Sequence, residues 1–135
     1  CILCGDSHPP NKQLRKYKKG TAERFVLNRY KQNAKYKKRT WGLTDEQAVD
    51  LMQQNCAYCG IEPQQIYEAI GRYRDNPNSK FIYNGIDRIN NLGGYTIDNV
   101  LPCCWICNKA KNDHTMSEWI AWLDRIKNNW QWELA

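Results

Sequence analysis

The sequence predicts a small α+β domain, with helices toward both ends and two short strands between them. Three observations carry this. Two capping boxes, Thr44-Asp45-Glu46-Gln47 and Thr115-Met116-Ser117-Glu118, each open a stretch of helical periodicity. Residues 81–89 and 100–103 are apolar runs of strand length. Two Cys-x-x-Cys pairs bracket those runs, Cys56/Cys59 before them and Cys104/Cys107 after. At 135 residues the chain is the size of one domain, large enough for a modest core and small enough to gain from a staple.

The elements follow in order. Residues 1–20 read as a Cys1-x-x-Cys4 knuckle and a Pro- and Lys-rich loop. Residues 21–38 read as a basic helix with Phe25, Leu27, Tyr30 and Ala34 on one packing face, broken at Trp41-Gly42. The first capping box opens a helix running to about residue 54, with Ala48, Leu51 and Met52 at helical spacing. After the knuckle at 56–60, residues 62–80 are polar, with a weak helical pattern in Ile66, Tyr67 and Ile70 and a loop at 75–78. A strand over 81–89, an ordered loop over 90–99 and a strand over 100–103 lead into a helix over 105–111. The second capping box starts a last helix, with Trp119, Ile120, Leu123 and Ile126 on one face. No internal repeat or second-domain linker is visible. The organisation expected is a basic region, 1–40, joined to a body, 41–135, in one unit.

Charge is uneven. Residues 12–39 hold 12 of the 20 Lys and Arg residues, and Glu23 is the one acid among them. The net is +10 over residues 1–40 and −4 over residues 41–135. A concentrated basic segment suits a polyanion, because each neutralised phosphate releases condensed counterions. It also suits a solvated helix face, and charge alone does not separate the two. The apolar runs are far shorter than the roughly 20 residues needed to cross a bilayer, and no segment reads as a signal peptide. The expectation is a cytoplasmic protein that does not engage a membrane; the chain given begins at Cys1 without a methionine.

Six of the seven cysteines form Cys-x-x-Cys pairs. Without a secretion signal, matched pairs read as metal ligands rather than disulfides. Zinc takes four soft ligands in a tetrahedron, and a two-residue spacer lets each pair grip one ion from a tight turn. Cys56, Cys59, Cys104 and Cys107 are therefore the expected structural zinc site. Cys1 and Cys4 form a half-site for a second zinc, with His8 and Cys103 as further ligands or with partners upstream. Cys103 reads otherwise as a small buried hydrophobe.

Between the pairs lies Tyr83-Asn84-Gly85-Ile86-Asp87-Arg88-Ile89-Asn90-Asn91, then Gly93-Gly94-Tyr95-Thr96-Ile97-Asp98-Asn99-Val100, then Cys104-Trp105-Ile106-Cys107-Asn108-Lys109-Ala110-Lys111. This stretch resembles the HNH (ββα-metal) endonuclease family. It is similar to a zinc-containing sub-type found in phage HNH proteins and in rare-cutting restriction enzymes of the PacI type. The resemblance is tight over residues 56–111, looser back to about residue 27, and absent before that. It implies a zinc-stapled ββα unit and a divalent-metal-dependent DNA endonuclease, site-specific in the manner of restriction or homing enzymes. By position, Asp87 and Asn108 would hold a catalytic Mg²⁺ or Mn²⁺, and Asn99 would brace the loop between the strands. One carboxylate and one amide oxygen leave a hard cation room for water and phosphate.

One position departs from the family. Its general base is a histidine directly after the Asp, and here Arg88 stands there. Arginine stays protonated and cannot take a proton from water, though it can hold a phosphate. Either metal-bound water suffices, or the base is another residue, with His8, His114, Tyr58 and Tyr83 as the candidates. Tyr58 is preferred, since zinc would hold its turn against the ββα unit and the PacI-type sequences carry a tyrosine there too. Duplex DNA is the expected partner, tracked by a basic surface over residues 24–39 with Tyr17, Tyr30 and Tyr36 interleaved, through Arg29, Lys31, Lys35, Lys37, Lys38 and Arg39, with Lys109 and Lys111. Trp130 and Trp132 suggest a homodimer interface, since a palindromic cutter needs two sites related by a two-fold. The rival reading is a zinc-stabilised DNA-binding module that has lost its base, and a third is an RNA-binding protein.

Overall fold

A computed structural model describes residues 21–71 and 79–130. Cys1, Cys4, His8, Tyr17 and Trp132 lie outside the described residues, as does the loop expected at 75–78. Helix α1 (Ala22–Tyr36) begins where the Thr21 hydroxyl accepts from the amide of Arg24. Glu23 lies in its first turn and Lys35 in its last, each placed favourably against the helix dipole. Ala22, Val26, Leu27 and Ala34 form its buried stripe, and Phe25 stacks on Tyr67 at 5.7 Å. Helix α2 (Asp45–Met52) opens on the expected capping box. The Gln47 amide donates to the Thr44 hydroxyl at 3.1 Å, and the Thr44 amide donates to the Gln47 side chain at 3.0 Å. Lys31 and Arg24 of α1 both reach Asp45, at 2.7 and 3.1 Å, and clamp the two helices.

Two sequence expectations fail in the middle of the chain. The weak helical pattern after residue 62 is instead strand β1 (Gln65–Glu68), paired antiparallel with β2 (Lys80–Tyr83) from Gln65↔Tyr83 to Glu68↔Lys80. Alternation across that ribbon leaves Ile66 exposed and lets Tyr67 face α1, so pairing overrides a local pattern of only a few residues. The single strand expected over 81–89 is also two. Asn84 breaks it: its side chain, 1% exposed, donates to the carbonyls of Gln54 and Ile61, and its amide donates to that of Met52. These bonds pull the backbone out of the first sheet and start β3 (Gly85–Arg88) in a second one. A side chain at position 85 would approach the Tyr30 hydroxyl to 2.6 Å and push it off its bond to the Ile86 amide.

Strand β3 pairs antiparallel with β4 (Val100–Cys103), from Gly85↔Cys103 to Arg88↔Val100. Helix α3 (Trp105–Lys111) follows at once, completing a ββα unit. One core joins α1 and α2 to this unit through Phe81, Tyr83, Ile86, Tyr95 and Val100. Helix α4 (Met116–Asn129) opens on the second capping box. Of its expected apolar face only Trp119 is buried, packed edge-on against Tyr58 at 5.9 Å. Ile120, Leu123 and Ile126 stay partly exposed, so the helix docks by its first turn rather than along its length. No helix among the described residues is long and apolar enough to cross a membrane.

Candidate metal centre and active site

The cysteine turns are built by backbone hydrogen bonds. The Gly60 amide donates to the carbonyl of Cys56 at 2.9 Å, with Gly60 at φ 78°, a region that glycine enters freely. On the other side the sulfur of Cys104 caps α3, accepting from the Cys107 amide at 3.4 Å. A bond from the Ala57 amide to the carbonyl of Pro102 holds the two turns together. The four sulfurs lie within 4.8 Å of one another, and those of Cys59 and Cys104 are 3.7 Å apart. A disulfide would need about 2.05 Å, whereas a zinc tetrahedron with bonds near 2.3 Å has edges of about 3.8 Å. The donor set fits zinc. Burial pushes the Cys104 and Cys107 thiols up. Burial also opposes ionisation of Cys56, but hydrogen bonds from the backbone at Cys104, Cys59 and Tyr58 outweigh it and bring the thiol down to about 6. Four such sulfurs become thiolates together only with a cation among them. Cys103 is fully buried beside the cluster and outside it, its sulfur donating to the carbonyl of Cys104, with burial holding its thiol protonated.

Tyr58 projects from the first turn onto Asp87. Its hydroxyl donates to Asp87 Oδ2 at 2.6 Å. Burial raises the phenol pKa far above its ordinary value, and the bond to Asp87 and that carboxylate's charge add to the effect. Asp87 itself is 6% exposed. Its other partner is Lys111 on α3, with no exposed surface, whose Nζ lies 3.1 Å from Oδ2 and 3.4 Å from Oδ1 and also donates to the carbonyl of Arg88. Lys111 was expected to track DNA. Burial corrects that, because an ammonium so placed holds a carboxylate within the protein and has no path to a phosphate outside.

A polar cavity of about 230 Å³ lies in front of Asp87, walled by Asn108, Arg88, Tyr30, Lys37 and Arg39. Asn112 and Asp113 also line it. The carboxylate offers about four acceptor positions, and Tyr58 and Lys111 use no more than three. With the amide of Asn108 in the same wall, the oxygen donors suit a hard divalent cation such as Mg²⁺. The Tyr30 hydroxyl accepts from the amide of Ile86 at 3.2 Å, and burial pushes its pKa up to about 12. Arg88 reaches the cavity wall but points Nη1 elsewhere, donating to the carbonyls of Asn91 at 2.7 Å and Gly93 at 2.8 Å, with its guanidinium over the ring of Tyr95.

The other expected site residues divide clearly. Asn99 grips the loop between the strands, donating to the carbonyls of Asn90 and Gly94 and accepting from the amide of Asn90. Tyr83 stacks on Phe81, and its hydroxyl accepts from Arg29 at 2.6 Å, which draws both into the first sheet. His114 is exposed and pairs with Glu118 on α4 at 3.4 Å. Of the basic residues, Lys37 and Arg39 line the Asp87 cavity, and with Lys38 they line a second one of about 310 Å³ beside it. Lys31 is committed to Asp45. Lys35 is exposed, and Lys109 lies over the ring of Trp105 at 4.8 Å. Sequence reasoning missed Lys111 as the partner of Asp87 and Tyr30 as a wall of the cavity. The spacing Asn108–Lys111 puts both on one face of α3, but a lysine on so short a helix ordinarily faces water; Tyr30 carried no signal beyond its place on the basic helix.

No protein-family model matches the chain. An uncharacterized protein, R423 of Acanthamoeba polyphaga mimivirus, is 33% identical over 100 residues, covering 74% of this chain and 16% of that protein. The chain thus spans about a sixth of that relative's length. The solved structure of PacI, a rare-cutting HNH restriction endonuclease, matches 80% of this chain and 78% of its own with a TM-score of 0.54 and 20% identity. At that identity the likeness is one of fold.

Proposed function

The premise is an HNH-like α+β fold with four clustered cysteines fit for zinc, and from it we propose that the chain is a divalent-metal-dependent DNA endonuclease. One observation carries the reading: Asp87, a nearly buried carboxylate, faces a polar cavity whose walls include Asn108 and the cations Lys37 and Arg39. Asp87 and Asn108 would hold the divalent ion, which supplies Lewis-acid activation of the scissile phosphate and its attacking water. Lys37 and Arg39 bind the neighbouring phosphates and neutralise charge that grows in the transition state. Lys111 orients Asp87 through their ion pair at 3.1 Å. Tyr58, the base preferred from the sequence, points its own proton at Asp87 Oδ2 at 2.6 Å and so orients that ligand; the attacking water, acidified by the ion, would release its proton to solvent in the cavity. Arg88 supports the loop and lends positive charge to the cavity wall. Cleavage is proposed to be site-specific, with a homodimer assembled through the exposed face of α4 and Trp130 just beyond its end.

The rival, a zinc-stabilised module that binds DNA without cutting it, draws on the tight Lys111–Asp87 pair and the absence of histidine at position 88. Plasmid digestion with Mg²⁺, Mn²⁺ or EDTA separates the two. The nuclease reading expects divalent-dependent nicking that Asp87→Asn abolishes while duplex binding stays within a few-fold of wild type. Binding without nicking under every divalent ion would leave the module reading standing.

A further inference from the structure

We propose that Leu92 is a wedge that enters a base step of duplex DNA beside the scissile phosphate; this rests on the nuclease reading above. A lone exposed leucine is ordinary on a protein surface. Three circumstances set this one apart.

The first is exposure. Leu92 is 97% exposed, the most of the large exposed hydrophobic residues in the described chain. The second is rigidity. Buried Arg88 donates to the carbonyls of Asn91 and Gly93, the residues on either side of Leu92, and the Leu92 amide donates to the side chain of Asn90 at 2.9 Å. Asn99 binds both ends of the same turn, at Asn90 and Gly94, and the Asn91 side chain donates to the carbonyl of His114. The turn is also tightly packed: a side chain at position 93 would meet Asn99 at 2.7 Å, and one at position 94 would meet Thr40 at 2.7 Å. The backbone on either side of Leu92 is thus bonded into the loop while its own side chain faces solvent. A fixed turn that presents an apolar side chain to water gains nothing within the protein by that exposure, and so points to a partner.

The third circumstance is place. Leu92 lines the second cavity with Lys37, Lys38 and Arg39, and that cavity shares Lys37, Arg39, Arg88 and Asn91 with the one in front of Asp87. A polyanion seated on those cations to reach Asp87 meets Leu92 next to the reacting phosphate. Duplex DNA offers an apolar side chain one matching surface, the stacked faces of its bases, and proteins kink DNA by inserting Leu, Ile, Phe or Met between base steps. Arg88 then acts as a positioning residue, fixing the wedge from behind.

The test starts by mapping where wild-type protein cuts a plasmid in Mg²⁺. A duplex of about three helical turns carrying that site, with 2-aminopurine at successive steps, then reports unstacking with Ca²⁺ in place of Mg²⁺. Wild type is expected to brighten one step next to the cut. Leu92→Ala is expected to lose that signal, to melt at the wild-type temperature because the residue is exposed, and to cut about 10²-fold more slowly through misplacement of the phosphate. Leu92→Met is expected to keep both signal and rate. A mismatch placed at the same step opens it in advance and is expected to bring Leu92→Ala back to within a few-fold of wild type on that substrate. Wild-type cleavage with no brightened step, or full activity of Leu92→Ala on the intact duplex, overturns the wedge and leaves the nuclease standing. A wild-type protein that binds duplex DNA without cutting it, or does neither, overturns the nuclease reading and the wedge with it.

Discussion

An ammonium with no exposed surface needs a carboxylate and a carbonyl around it, and Lys111 has both in Asp87 and the backbone of Arg88. Removing one partner of such a pair leaves the other charged and unsolvated, which costs about 3–5 kcal/mol. Lys111→Ala should therefore lower unfolding stability by about 3 kcal/mol in a urea titration, far beyond the few tenths expected of a surface lysine. An unaltered midpoint would mean that the pair contributes nothing. The same reasoning selects the variant that probes Asp87. Alanine there strands Lys111, whereas asparagine still offers it an oxygen, so Asp87→Asn should unfold closer to wild type than Asp87→Ala does. The sequence showed Asp87 and Asn108 through their motif. It did not show Lys111 as an inward residue, because lysines on a short helix ordinarily face water, and only the packing of α3 on β3 turns this one inward.

At the scale of elements, what was legible depended on how local the cause is. Both capping boxes form, because Thr44 with Gln47 and Thr115 with Glu118 close their bonds within four residues. Strand β1 was hidden because its partner β2 lies across residues 69–79, and the break at Asn84 because it depends on carbonyls of Gln54 and Ile61. The four-cysteine cluster was legible across 44 intervening residues only because the chemistry of matched pairs is so restrictive. That cluster should behave as part of the fold. Purified protein should contain about one zinc per chain from this site, and Cys104→Ser or a strong chelator should collapse the thermal transition, since binding free energy here is folding free energy. A metal-free protein that melts as sharply as the native one would remove the staple from the account. The α1–α2 clamp makes a finer prediction. Burial opposes ionisation of Asp45, but the bond and charge of Lys31, with Arg24, hold its carboxyl below the ordinary 3.8. A depressed carboxylate contributes stability above its unfolded pKa and loses it as pH falls through the folded one. Asp45→Asn should cost up to about 1 kcal/mol at neutral pH, and the difference from wild type should shrink below about pH 4.

Over the whole molecule the net +6 arises from a basic segment on a mildly acidic body, and the fold sorts the described part of that segment by what each charge faces. Arg29 donates to Tyr83, and Arg24 and Lys31 hold Asp45; these charges serve the first sheet and the helix pair. Lys37, Lys38 and Arg39 follow α1, where Lys38 turns left-handed at φ 55°, and they line the cavities in front of Asp87 and Leu92. The sequence revealed the run of cations and not this division, since a helix spreads neighbouring side chains around its circumference and only the tertiary partners show which charges are taken. The division has a measurable consequence. Each phosphate contact adds about 0.9 to the slope of log affinity against log salt for a duplex. Replacing Lys37, Lys38 and Arg39 together by Ala should flatten that slope by up to about 3 and weaken binding to all sequences alike. Replacing Arg29 and Lys31 should leave the slope nearly unchanged, though it removes two charges from the same stretch. Fluorescence anisotropy on one duplex across a salt series reads both variants. Equal flattening per charge removed would show that DNA senses only the total charge of the segment, and that the cavity-lining cations have no special part in seating it.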